Sequence, residues 1–93
     1  MYKIVVLFKC DDKNDAPVMA KRLKDLEMLV EEVNTFQVNL DELGMENCYD
    51  FSLVGTFNSY KDYQAYIVHP IHQEYVKDMK ELGIKSVKVC FEE

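Results

Sequence analysis

The unbroken apolar run Ile4-Val5-Val6-Leu7-Phe8, closed by Lys9, constrains this chain more than any other segment. Its length and β-branched content favour a strand over about residues 2 to 10. Side chains alternate across a strand, so Ile4, Val6 and Phe8 share one face while Val5 and Leu7 share the other. A sheet with helices on one side normally reads polar on its second side. A strand apolar on both faces therefore needs cover twice. A chain of 93 residues supplies one modest core and no spare layer, so the second cover is expected from another copy of the chain. Asp50, Ser52 and Thr56 are expected to face that same interface, which would then be partly polar.

The remaining elements follow from periodicity and punctuation. Asp15 and Pro17 start a helix over about residues 16 to 32, with Met19, Leu23, Leu26, Val30 and Val33 on one stripe. Phe36, Val38 and Leu40 alternate with polar residues as a second strand, and Tyr49, Phe51, Leu53, Gly55 and Phe57 do so as a third. The aperiodic stretch from Asp41 to Cys48 joins them as a hairpin loop. Ser59, with Asp62 behind it, opens a second helical segment whose inner side carries Tyr63, Tyr66 and Ile67. His69 precedes Pro70 and is pushed out of the α region, so the helix should break there and restart. Ile71, Tyr75, Met79 and Leu82 continue the inner stripe to a stop at Gly83, and Val87, Val89 and Phe91 mark a fourth strand. The order is β-α-β-β-α-β. That predicts one α+β domain over 1–93, a ferredoxin-like sandwich with a four-stranded antiparallel sheet, pairing through its sheets into a homodimeric barrel.

Composition narrows the partners. Seventeen acidic against eleven basic residues leave a net charge of -6, which repels phosphate backbones and anionic membrane surfaces alike. Neither nucleic acid nor a membrane is expected as a partner. The N-terminal apolar run is too short for a signal core or a membrane span. Cys10, Cys48 and Cys90 form no CxxC pair, and an odd number fits reduced thiols in the cytoplasm. Cys48, in a polar loop, is expected to be the most reactive, with Cys10 and Cys90 packed as small hydrophobes.

Chemistry concentrates in Tyr66-Ile67-Val68-His69-Pro70-Ile71-His72, which holds both histidines of the chain. A phenol and an imidazole at this spacing suit general acid and base work, so Tyr66 and His72 are the candidate catalytic residues. His69 could instead bond backbone groups at the helix break, and Tyr66 could be core. Two histidines without further ligands fall short of a metal site, and no glycine-rich phosphate loop, GxSxG or HExxH occurs, so no metal or cofactor is expected. A small apolar or aromatic ligand could lie between the strand face of Ile4, Val6 and Phe8 and the helical residues Tyr66, His69 and His72.

The stretch Cys48-Tyr49-Asp50-Phe51-Ser52-Leu53-Val54-Gly55-Thr56-Phe57-Asn58-Ser59, followed by the Tyr-x-x-His-Pro-x-His element of residues 66–72, resembles the stress-responsive α/β-barrel (Dabb) family. The first strand around Lys3 to Lys9 and the last around Val87 to Phe91 look like that family's termini. The resemblance implies a dimeric α+β barrel. It also implies a possible reaction: a branch similar in this motif, the plant olivetolic acid cyclase, closes a linear polyketide by aldol condensation with a tyrosine, the motif's second histidine and a first-strand histidine. Tyr66 and His72 match the first two, whereas Ile4 stands where many members carry the third. The readings carried forward are a small-molecule binder, a cofactor-free cyclase or isomerase using Tyr66 and His72, and a purely structural dimerisation module.

Overall fold

A computed structural model describes residues 1–93. Its elements are β1 (Tyr2–Lys9), α1 (Asp15–Leu29), β2 (Val33–Leu40), β3 (Phe51–Phe57), α2 (Tyr60–Val68), α3 (Pro70–Glu81) and β4 (Lys85–Glu92). The expected order holds, with the second helical segment split in two at His69. The strands form one antiparallel sheet in the order β2-β3-β1-β4. The first strand of the chain thus lies inside the sheet, flanked by β3 and by the last strand.

One face of the sheet is packed and the other is open. Ile4, Val6 and Phe8 point to the helices and are buried with Phe36, Phe51, Leu53 and Phe57 from the neighbouring strands. α1 adds Met19, Leu23 and Leu26, and the aromatic rings interlock: Phe36 meets Phe57 and Tyr66 edge-on, with centroids 6.1 and 5.6 Å apart. This core requires Gly55, because a Cβ there would come within 2.9 Å of the Phe36 ring and 3.1 Å of Ile4. The sheet bends no atom out of the way at that point; it simply has none.

α1 also seals the sheet edge at β2. Glu27 accepts from the Phe36 amide at 2.6 Å and Lys24 donates to the Phe36 carbonyl at 2.7 Å, so outward-facing backbone groups of an edge strand are occupied. The hydrogen bond from that amide, with Lys24 beside it, holds the Glu27 carboxyl below its ordinary pKa. α3 is fastened to α1 by Tyr75, whose hydroxyl donates to the Met19 carbonyl at 2.8 Å, and by the Arg22–Asp78 ion pair at 2.9 Å.

On the open face the strand register sets Phe91, Val89 and Val87 of β4 beside Lys3, Val5 and Leu7 of β1, then Thr56, Val54 and Ser52 of β3, then Thr35, Gln37 and Asn39 of β2. The face therefore grades from apolar at β4 to polar at β2. Val89 is 62% exposed and Val87 52%, and with exposed Leu7 beside Val87 they leave apolar side chains adjoining one another on this face.

Four expectations need correction. Helix α1 ends at Leu29, so Val33 belongs to β2 and not to the helical stripe; Val30 already has extended dihedrals, and the turn at Glu31 and Glu32 reverses the chain. Asp50 does not face the open sheet. It is buried just before β3, where its carboxylate accepts from the Cys10 amide at 2.7 Å and fixes the end of β1. Tyr49 likewise lies outside β3 and is exposed. Leu40 and Leu82 are exposed at the ends of β2 and α3, and Ile84 takes the buried place expected for Leu82. Cys10 is buried, Cys90 half-buried, and the loop residue Cys48 is half-buried as well.

Candidate functional site

α3 packs chiefly on α1 and α2, and the space left between it, α2 and the β1–β4 half of the sheet is a cavity of about 230 Å³. Its floor is Ile4, Val6, Phe8 and Leu53; α2 contributes Tyr63, Tyr66 and Ile67; α3 contributes His72, Tyr75, Val76 and Met79; β4 contributes Ser86 and Lys88. Of the residues named from sequence as ligand-binding, Ile4, Val6, Phe8, Tyr66 and His72 line this cavity.

His69 does not. The residue before Pro70 takes extended dihedrals (φ -64°, ψ 135°), which end α2 and start α3, and its Nδ1 accepts from the Ile71 amide at 3.1 Å. It is the N-cap of α3. Its work is to set the angle between the two helices, and that angle aims His72 at Tyr66.

The two rings meet at a centroid separation of 4.3 Å, tilted by 48°. His72 Nδ1 lies 3.0 Å from the Ile67 carbonyl. A carbonyl can only accept, so Nδ1 carries the proton and Nε2 is left with its lone pair. Burial lowers the His72 pKa from its ordinary value, outweighing the Ile67 contact, and the ring is neutral at pH 7. Burial raises the Tyr66 pKa, which keeps its phenol protonated. No protein group hydrogen-bonds the Tyr66 hydroxyl, and no buried polar side-chain atom is left sealed without a partner. The lining of this apolar chamber thus includes a neutral imidazole with one unpaired ring nitrogen and a protonated phenol. No group of His, Cys, Asp and Glu side chains is arranged to hold a metal ion, and no helix is long and apolar enough to cross a membrane.

The Stress Responsive A/B Barrel Domain, Dabb, matches residues 2–92. The chain belongs to this family. Solved structures of similar shape include a protein of Arabidopsis thaliana, 23% identical with a TM-score of 0.82, the match covering 100% of this chain and 95% of that one. A dimeric ferredoxin-like protein of unknown function from Bacteroides fragilis is 22% identical with a TM-score of 0.71, covering 97% and 95%. The hydroxynitrile lyase of Passiflora edulis is 15% identical with a TM-score of 0.76, covering 99% and 94%. At these identities the likeness is one of fold. No curated protein matches the sequence.

Within this Dabb fold, sequence reasoning overlooks the part of the site supplied by β4. Lys88 pairs in register with Val6 and so turns toward the helices, where its Nζ donates to the Tyr63 hydroxyl at 3.1 Å. The available signal is the strand's reversed polarity: Ser86, Lys88 and Cys90 sit on the helix side, while Val87, Val89 and Phe91 sit on the open side. Such a strand turns its polar side toward something other than packed core.

Proposed function

We propose that this Dabb protein is a homodimer closed through the apolar half of its open sheet face, and that its cavity binds a small apolar or aromatic molecule. The cavity carries the ligand reading: of its 14 lining residues 11 are hydrophobic, and two polar atoms, Tyr66 Oη and His72 Nε2, are left without protein partners at its wall. An apolar cavity of about 150 Å³ is enough to take up benzene, so one ring with a short substituent is the size that fits. The dimer reading is supported by the exposed Val87 and Val89 and by the fold relative from Bacteroides fragilis, which is described as dimeric. A purely structural dimerisation module would need no such chamber.

Binding is tested by calorimetric titration with para-propylphenol. Val76→Phe, made at a half-buried cavity position on α3, should abolish the heat of binding while leaving Tm close to that of the parent protein. Unchanged binding by the variant would place the ligand elsewhere.

A second reading, a cofactor-free cyclase or isomerase, is favoured by the Tyr66–His72 pairing. His72 Nε2 would remove a proton from carbon next to a carbonyl, and the Tyr66 O–H would donate to the enolate oxygen that develops. The measurement is solvent-deuterium incorporation into acetophenone, followed by NMR. The protein should accelerate exchange, and His72→Ala should lower that rate by about 100-fold or more. The sign of the pH dependence follows from the lowered His72 pKa: the basic form is present through neutrality, and the rate falls only on acidification below the ordinary histidine range near about 6.5. Exchange no faster than buffer would leave the binding reading alone.

A further inference from the structure

Lys88 is the one charged side chain among the residues that line the cavity. It stands at the exposed rim, where the cavity adjoins a shallow outer depression formed by Tyr60, Gln64 and Val68, and it shares that boundary with Tyr63 and Ile67. Its Nζ is held at 3.1 Å from the Tyr63 hydroxyl and 5.8 Å from the centre of the Tyr63 ring, and no carboxylate pairs with it. Its ammonium is therefore free to meet an anion at the mouth of a chamber whose other lining side chains carry no charge. Ser86, on the same side of β4, adds a hydroxyl to the lining.

We propose that the molecule taken up by this cavity is a small organic acid, its apolar body against Ile4, Val6 and Met79 and its carboxylate held at the rim by Lys88 Nζ and the Tyr63 hydroxyl. This rests on the cavity being a ligand site and adds to it the chemical class of the ligand. The hydrogen bond with Tyr63 raises the Lys88 pKa, and burial raises that of Tyr63. At neutral pH the pair is therefore an ammonium and a phenol, both donors. An ammonium has donors and no lone pair, which suits Lys88 to anchoring an anion. A carboxylate offers acceptors to both donors at once, and charge-assisted bonds of this kind are stronger than those made by a neutral amide. The apolar floor accounts for the rest of the ligand.

The experiment is a calorimetric comparison of two probes of nearly the same shape, para-propylbenzoate and para-propylbenzamide, on the full-length protein and two variants. The parent protein should bind the acid roughly tenfold more tightly than the amide. Lys88→Met should erase that preference, the acid losing more affinity than the amide, and Lys88→Arg should restore it. An unchanged ratio in Lys88→Met, or a parent protein that favours the amide, overturns the carboxylate assignment and leaves the cavity reading standing. Failure of the acid, the amide and para-propylphenol alike to bind overturns both.

Discussion

Phe36→Ala is expected to lower the free energy of unfolding by about 3 to 5 kcal/mol, in the range found when a buried aromatic ring is cut to alanine. Phe36 is fully buried. Its ring fills the place left open by the absent side chain of Gly55 and meets Phe57 and Tyr66 edge-on, so its removal opens a void that the neighbouring strands cannot close over. Small domains are stable by only about 5 to 15 kcal/mol in total, and one substitution would remove a large share. Urea unfolding followed by far-UV circular dichroism measures it. A loss below about 1 kcal/mol would mean that the core collapses around the gap more readily than close packing allows. The same experiment bears on the site, because Tyr66 is braced on one side by Phe36 and on the other by His72.

Val89→Asp is expected to convert the proposed dimer to monomers at micromolar concentration. Val89 lies in the apolar half of the open face, between Val87 and Phe91 along β4 and beside Val5 on β1. Burying a valine contributes roughly 1.5 kcal/mol or more. A two-fold interface contains every substitution twice, so the loss is about 3 kcal/mol before any cost of desolvating two carboxylates, and the dissociation constant should rise by more than about 100-fold. Sedimentation velocity on the parent protein and the variant reads it directly. Val68→Asp, at an exposed position on α2, should leave the assembly intact. A parent protein that sediments as a monomer would end the dimer reading, and a dimeric Val89→Asp would move the interface off this face.

The parts of this structure that were legible in the sequence are those with a strong local cause. The β1 run could only be a strand, and the His69-Pro70 pair could only break a helix, a break that brings Tyr66 against His72. Element ends were harder. Val33 sits at helical spacing from Val30, and nothing nearer than the turn at Glu31 and Glu32 shows that the chain has already reversed. Asp50 reads as an ordinary polar position in an alternating strand, and its burial depends on the Cys10 amide, forty residues away along the chain. His69 carries ligand chemistry in its ring, yet the backbone at a proline junction consumes it. Lys88 was the costliest omission. On an edge strand both faces can be polar or apolar, so alternation alone does not say which side meets the helices; register with Val6 decides it.

The central place of β1 also bears on the order in which the protein assembles. β2 and β3 are adjacent in the chain and can pair across a local loop, whereas Tyr2 must find both Phe57 and Glu92, and Val6 must find Lys88. Contacts between residues so far apart in sequence close large loops and slow folding. β4 is then the natural last strand to dock, and with it comes the Lys88 rim. Until that strand zips onto β1, the chain can possess its aromatic core and its Tyr66–His72 pair and still have an open-sided chamber, so a nascent or partly unfolded copy would hold ligands poorly long before it lost its helices.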